Sequence, residues 1–143
     1  MKSKIISLFL LLPLFIWAEL DVHRVNQALL GLKSSKPLKF FNDNPLFVNK
    51  LERTKSSVMF TTLKEADILL FPKLKKSNKM MIAKSYSELK KNKKNIGAIY
   101  IKKGRTHIVF IEERLKNRGL KLSATLNKYL IKESYLNPLC FIN

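Results

Sequence analysis

The chain is poor in the residues that build disulfide frameworks, phosphate loops and acidic sites. Its 143 residues include one cysteine, four glycines and 10 acidic side chains. The single cysteine, Cys140, cannot form an internal disulfide, which leaves a free thiol or an intermolecular bridge. Four glycines leave little room for a glycine-rich phosphate loop. No internal repeat or low-complexity linker divides the sequence.

Basic residues are what the chain has in excess. It carries 28 lysine and arginine residues and a formal net charge of +18. Only 5 of these 28 are arginine, the residue preferred where phosphate is held by two parallel hydrogen bonds. The lysines are spread along the whole sequence. The composition therefore predicts diffuse attraction to anions and argues against a specific nucleic-acid function.

The first 18 residues have the pattern of a secretory signal peptide. Lys2 and Lys4 precede an apolar run over residues 5–17, and the small residue Ala18 follows. A run of about 13 residues is shorter than the roughly 20 that span a bilayer. We expect cleavage after Ala18, so that the exported protein starts at Glu19 with a net charge of about +16. A retained membrane anchor is the alternative.

The remainder, residues 19–143, has the length of a single domain. Short apolar runs alternate with short amphipathic stretches. The pattern predicts strands at 37–41, 56–60, 67–71, 80–83, 96–101 and 106–111, and helices at 44–55, 85–95, 112–118 and 124–133, with a short helical turn at 62–67. This order predicts an α/β fold: a three-layer sandwich with a largely parallel sheet and a C-terminal β-hairpin followed by two short helices.

Several helix ends carry recognisable signals. Asn44 precedes Pro45, which suits the first turn of a helix. Ser85 and Glu88 have the spacing of a capping box, as do Thr62 and Glu65. The last predicted helix, capped by Ser123, would place Leu126, Tyr129 and Leu130 on one face.

Half of the domain resembles a known family. The segment from "ADILLFP" through "MIAKSYSELKKNKKNIGAIYIKKGRTHIVFIEERLKNRGLKLSATLNKYL" resembles the C-terminal half of the YfiR family over residues 66–131. The positions that carry the resemblance are Ile68 to Phe71, Ile82 to Ser85, Gly97 to Ile99, Arg105, Ile108, Phe110, Gly119, Leu120, Ser123 and Leu126. The chain departs from the family in lacking paired cysteines. The family's aromatic N-terminal helix is absent or shortened here.

The resemblance implies a small periplasmic regulator with an α/β fold. Its known relatives bind the periplasmic domain of a membrane diguanylate cyclase and hold it inactive, which lowers cyclic-di-GMP output. By this resemblance the partner is a membrane signalling protein. A homodimer is also compatible with what the resemblance implies.

The candidate site is the basic tip of the predicted hairpin, Lys102, Lys103 and Arg105, with Gly104 between them. One interpretation is a plain turn, because Gly104 supplies the positive φ that hairpin loops need. The other is a contact site for an anion or a partner.

Catalytic and cofactor sites find no support in the sequence. The two histidines, His23 and His107, lack the spacing of a zinc site. Ser87 to Lys90 matches S-x-x-K, but the companion motifs of penicillin-binding proteins are missing. We therefore expect a protein that is not an enzyme and that binds no metal or cofactor.

Two functions remain open from the sequence. The first is an exported regulator that acts by protein contact. The alternative is a small periplasmic solute- or anion-binding module that uses the carboxyl ends of the parallel strands, where open α/β sheets bind ligands.

Overall fold

A computed structural model describes residues 19–54, 58–73 and 77–136. The helices are α1 (Val22–Leu30), α2 (Pro45–Glu52), α3 (Tyr86–Lys91) and α4 (Glu112–Asn117), with 3-10 helices at Ala124–Tyr129 and Glu133–Leu136. The strands are β1 (Leu32–Lys33), β2 (Lys39–Phe41), β3 (Met59–Phe60), β4 (Ile68–Leu70), β5 (Met80–Ala83), β6 (Asn95–Lys102), β7 (Arg105–Ile111), β8 (Lys121–Leu122) and β9 (Leu130–Ile131). The expected signal peptide and Cys140 lie outside the described residues.

A seven-stranded sheet forms the centre of the domain, in the order β3-β2-β4-β5-β6-β7-β9. The first five of these strands are parallel to one another. β7 runs antiparallel to β6, and β9 runs parallel to β7. β1 and β8 form a separate antiparallel pair. The predicted α/β fold with a largely parallel sheet is confirmed.

Both faces of the sheet are covered, which makes three layers. On one face, Val25 and Leu29 of α1 and Leu51 of α2 join a core cluster with the sheet residues Phe40 and Ile82. On the other face, Leu89 of α3 and Leu136 pack with Ala83, Ala98 and Val109. β4 is buried at all three positions, as its unbroken apolar sequence predicts for a strand covered on both sides.

Local signals in the sequence place two of the helices. The Asn44 side chain accepts a hydrogen bond from the Leu46 N–H at the start of α2. The Ser85 hydroxyl accepts one from the Glu88 N–H at the start of α3. The short helical turn predicted at 62–67 is present, because the Ala66 N–H donates to the Thr62 carbonyl oxygen at 3.1 Å. The Glu65 carboxylate accepts a hydrogen bond from the Thr61 hydroxyl beside it.

The first and the last elements of the described chain differ most from the prediction. The helix expected at 124–133 is a 3-10 helix that ends at Tyr129, and Ser123 makes no side-chain cap. Leu130 and Ile131 instead pair with Phe110 and Ile111, so the last predicted helix gives way to an edge strand. Near the start, α1 occupies a segment for which no element was predicted. Its cap is Asp21, whose carboxylate accepts from the Arg24 N–H.

A buried arginine of α4 holds α3, β6 and the last 3-10 helix together. The Arg114 guanidinium donates to both carboxylate oxygens of Glu133, from Nε at 2.8 Å and Nη2 at 2.7 Å. Its Nη1 donates to the carbonyl oxygens of Leu89 at 2.8 Å and Asn95 at 2.9 Å. Arg114 is 5% exposed. Burying this charge is tolerable because an acceptor faces nearly every donor of the guanidinium.

The lengths of the helices show whether any of them could cross a membrane. Within residues 19–54, 58–73 and 77–136, none of the helices combines the length and apolar character needed to cross a bilayer.

Candidate functional site

The β6–β7 hairpin projects from the sheet at the carboxyl ends of the parallel strands. β6 has eight residues, whereas its neighbour β5 has four. The pairing with β5 ends at Ala83 and Ala98. Ile99–Lys102 therefore extend beyond β5 by about 13 Å, at roughly 3.3 Å per residue. The basic tip lies at the far end of this projection.

The turn of the hairpin contains two residues. Lys103 has φ 53° and Gly104 has φ 74°, the two consecutive positive values of a type I′ turn. Gly104 thus has the positive φ that the sequence predicted. The predicted connection of four residues is too long, because Lys102 and Arg105 already pair as the last residues of the two strands.

The type I′ turn separates Lys103 from the other two predicted site residues, Lys102 and Arg105. Lys102 and Arg105 are directly opposite each other, so their side chains share one face of the hairpin. Lys103 sits in the turn. All three side chains are exposed, and none has a hydrogen bond or an ion pair with any residue in the described parts of the chain. Like charges placed directly opposite on a sheet are destabilising, so this pair costs the hairpin stability.

Aromatic side chains continue the same face toward the core. Strand residues two apart share a face, which places Tyr100 beside Lys102 and His107 beside Arg105. The Tyr100 and His107 rings are stacked, with centroids 5.5 Å apart and an angle of 11° between planes. Tyr86 of α3 meets the Tyr100 ring at 6.4 Å. We call this surface the hairpin face. It comprises Tyr86, Lys90, Tyr100, Lys102, Arg105 and His107.

The hairpin face joins a buried base to an exposed end. Tyr86 and Tyr100 are half-buried and pack against the core cluster that contains Ala98 and Val109. The Lys90 ammonium lies 5.6 Å from the centre of the Tyr86 ring, within the range of a cation–π contact. Burial, and then the proximity of Tyr86, raises the pKa of the Tyr100 hydroxyl. The shift delays ionisation of this hydroxyl at alkaline pH; at neutral pH it is protonated, like any tyrosine, and can donate a hydrogen bond.

The opposite side of the hairpin is occupied by the N-terminal helix. Thr106 points to that side, and its hydroxyl accepts a hydrogen bond from the Asp21 N–H at 2.8 Å. Its carbonyl oxygen accepts one from Arg24 Nη1, also at 2.8 Å. Arg24 in turn contacts the Tyr129 hydroxyl at 3.2 Å. These contacts leave the hairpin face as the open side of the projection.

A second candidate region lies at the carboxyl ends of β2 and β4, where the order of strands along the sheet changes direction. Here the Asn42 amide donates to the Leu70 carbonyl oxygen at 2.8 Å, and the Phe47 and Phe71 rings lie 5.7 Å apart. Phe71 has φ 52°, an unusual value for a bulky residue. Side chains thus fill the space between these strand ends.

A cleft of about 590 Å³ opens beside this region, between α2 and β3. Asp43 and Glu52 line it, together with the polar side chains of Asn49 and Thr61. The Asp43 carboxylate is paired with the Lys73 ammonium at 3.8 Å, so Glu52 is the main source of negative charge in the cleft. The cleft therefore suits a neutral or cationic solute better than the anionic ligand that the sequence suggested.

The sequence candidates for catalysis are held in structural contacts. His23 pairs with Gln27 one turn along α1, and His107 stacks on Tyr100. Apart from these candidates, the Asp67 carboxylate just before β4 also has a structural contact, because it accepts a hydrogen bond from the Lys39 N–H at 2.9 Å. Among the residues that the structure describes, no group of three histidine, cysteine or acidic side chains has a metal-binding arrangement.

The sequence prediction missed the aromatic part of the hairpin face. The alternation of Tyr100 with Lys102, and of Arg105 with His107, was a signal that could have placed these four residues together. The approach of Tyr86 from α3 depends on tertiary packing and has no such local signal. Comparison of the chain with models of protein families, with curated proteins and with solved structures gave no match.

Proposed function

We propose that the protein is an exported, non-enzymatic regulator that binds the periplasmic part of a membrane signalling protein. The resemblance to the YfiR family suggests a diguanylate cyclase as the partner and inhibition as the consequence of binding. The order of elements from β4 to α4 agrees with the family pattern, including the glycine-containing strand β6 and the basic turn. This agreement supports the proposal at the level of the scaffold.

The single observation that carries the proposal is the set of unpaired cations on the projecting hairpin. Lys102 and Arg105 face each other with no acidic partner among the described residues, whereas Glu133 is the acidic partner of Arg114. Charges left without an internal partner are available to a partner outside. A projection at one edge of the domain is also well placed to contact another protein.

Binding and signalling output test this proposal together. The periplasmic domains of the host's membrane diguanylate cyclases would be purified, and their binding to residues 19–143 measured by biolayer interferometry. Deletion of the gene should raise cellular cyclic-di-GMP, and expression from a plasmid should lower it again. Absence of binding to every such domain, with unchanged cyclic-di-GMP, would reject the proposal.

Export is a separate requirement of the same function. The pattern of Lys2, Lys4, the apolar run and Ala18 predicts a mature start at Glu19. Mass spectrometry of the protein from its host should find that N-terminus in the periplasmic fraction. An intact Met1 in the cytoplasmic fraction would exclude a periplasmic regulator.

The alternative function is a small solute-binding module, and the cleft beside α2 is the observation in its favour. Because Asp43 is paired with Lys73, the negative charge of Glu52 is what favours neutral or cationic solutes in this cleft. A thermal-shift screen of such solutes would test it. A hit should lose its effect in the Glu52→Gln variant and keep it in the double variant Lys102→Ser, Lys103→Ser.

A further inference from the structure

The hairpin face combines features that indicate the chemistry of a partner. Lys102 and Arg105 provide two cations side by side at its outer end. The stacked rings of half-buried Tyr100 and exposed His107 provide a flat surface next to them. We propose that the hairpin face binds a carboxylate-rich peptide segment of another protein. This inference rests on the proposed function and deepens it, because it names the kind of segment that the partner presents.

Charge complementarity is the first argument. Arg105 can hold a carboxylate by two parallel hydrogen bonds, and Lys102 can hold a second as a point charge. An acid bound between them removes the repulsion that the free hairpin bears. No described residue supplies that acid internally. The carboxylates of a partner would therefore complete an arrangement that the chain leaves open.

The aromatic half of the face is the second argument. Aromatic side chains and arginine are enriched where protein interfaces are buried. Tyr86 and Tyr100 are anchored on the core cluster, so their rings are held in place before binding. Side chains that are already ordered lose little entropy when a partner docks. The Tyr100 hydroxyl adds a hydrogen-bond donor for a further acidic or carbonyl oxygen.

The division of the tip by the turn is the third argument, and it makes the inference specific. Lys103 lies in the type I′ turn and does not belong to the pair on the hairpin face. Lys102 and Arg105 should therefore carry the binding, whereas Lys103 should contribute little. A tip that worked only as diffuse positive charge would show no such difference.

The test uses a defined probe so that it does not depend on identifying the partner. ¹⁵N-labelled protein, residues 19–143, would be titrated with the peptide acetyl-EEYEE-amide and followed by NMR. We expect chemical-shift changes concentrated on α3 and on residues 99–107. Changes spread over lysines on every side of the domain would overturn the proposal, because they would indicate diffuse charge.

Matched variants sharpen the result. The double variant Lys102→Ser, Arg105→Ser should weaken peptide binding at least about tenfold, as expected for the loss of two charge-assisted contacts. The double variant Lys33→Ser, Lys36→Ser removes the same charge from residues outside the hairpin face and should change binding less than about twofold. Equal losses in the two variants would overturn the proposal. Lys103→Ser should resemble the second variant.

Two other binding partners are outcomes of the same experiment. Vesicles of phosphatidylglycerol, or a single-stranded oligonucleotide, would replace the peptide in parallel titrations. If either shifts the hairpin-face residues while the peptide does not, the face recognises a membrane or a nucleic acid and the proposal is wrong. If the peptide binds at the face but no cyclase domain binds the protein, the proposed function fails and this inference stands.

Discussion

The buried Arg114 and the exposed hairpin tip show two opposite uses of positive charge. Arg114 is 5% exposed and donates to Glu133 and to main-chain carbonyl oxygens on two other segments. Lys102, Lys103 and Arg105 are exposed and have no such contacts with the described residues. The first cation holds the fold together, and the others leave their donors available. Other exposed lysines, such as Lys33 and Lys121, also lack an ion pair among the described residues. What distinguishes the tip cations is therefore their position on the projecting hairpin, next to the stacked rings of Tyr100 and His107.

The largest expected effect comes from removing the buried charge. Arg114→Met should lower the free energy of unfolding by about 3–5 kcal/mol, because Glu133 and several carbonyl oxygens lose their donor in a largely buried place. Arg105→Met is the matched change at the hairpin tip and should stay within about 0.5 kcal/mol. Urea denaturation followed by circular dichroism measures both. Similar losses for the two variants would show that the buried and the exposed arginine contribute equally to stability, contrary to the comparison.

A smaller effect is expected at the base of the hairpin, where the projection joins the core. A methyl group on Gly97 would lie 2.5 Å from the Val109 carbonyl oxygen and 2.6 Å from Phe110 Cδ1. Gly97→Ala should therefore cost about 1–3 kcal/mol, the range for overpacked cores.

Gly31→Ala is the control for that change. There the added methyl group meets the end of the Leu126 side chain, which can rotate away. The loss of stability should be smaller than for Gly97→Ala. A larger loss at Gly31 would show that the hairpin base is less tightly packed than the region between α1 and the C-terminal segment.

The sequence predicted the central elements because their signals are local. Apolar runs mark β4 and β5, and side-chain caps mark the starts of α2 and α3. The segment 124–133 shows the limit of such signals. Leu126, Tyr129 and Leu130 have helical spacing, yet Leu130 pairs with Phe110 at the edge of β7. Pairing with a strand that lies far away along the chain overrides a weak local preference.

The same limit applies to the candidate site. The basic tip could be found because it is four consecutive residues. Its division into a pair and a turn residue depends on the register of β6 and β7, which the longer predicted connection obscured. The contact of Tyr86 with Tyr100 depends on how α3 packs on the sheet. Only the tertiary structure therefore shows that Arg114 is paired with an acid while the cations of the hairpin tip are exposed.

The turn itself gives the next prediction, because backbone and side chains should matter differently there. Gly104→Val should cost about 1–2 kcal/mol, since a left-handed conformation is strained for residues with a Cβ atom. The double variant Lys102→Ser, Lys103→Ser should change stability by less than about 0.5 kcal/mol. Urea titrations of the three proteins measure this. A larger loss in the double-serine variant would mean that the tip lysines support the fold.

The smallest effect is expected at Tyr100, which lies between the core and the hairpin tip. Its pKa is raised above the ordinary value of 10.0 by burial and by Tyr86. The unfolded chain therefore loses this proton first as the pH rises, so the stabilising contribution is complete below pH 10 and is lost as the pH passes through the higher pKa of the folded state. Stability of the native sequence should fall as the pH rises above 10, and Tyr100→Phe should reduce that fall.

Tyr135→Phe provides the control, because Tyr135 is 65% exposed whereas Tyr100 is half-buried. It removes the same atom and should keep the alkaline slope of the native sequence. Urea midpoints at closely spaced pH values measure the slopes, and lysine ionisation affects all three proteins alike. An identical slope in Tyr100→Phe would show that the ring is solvated like the tip cations. In that case the hairpin face would not have the pre-ordered aromatic surface on which the recognition of an acidic segment depends.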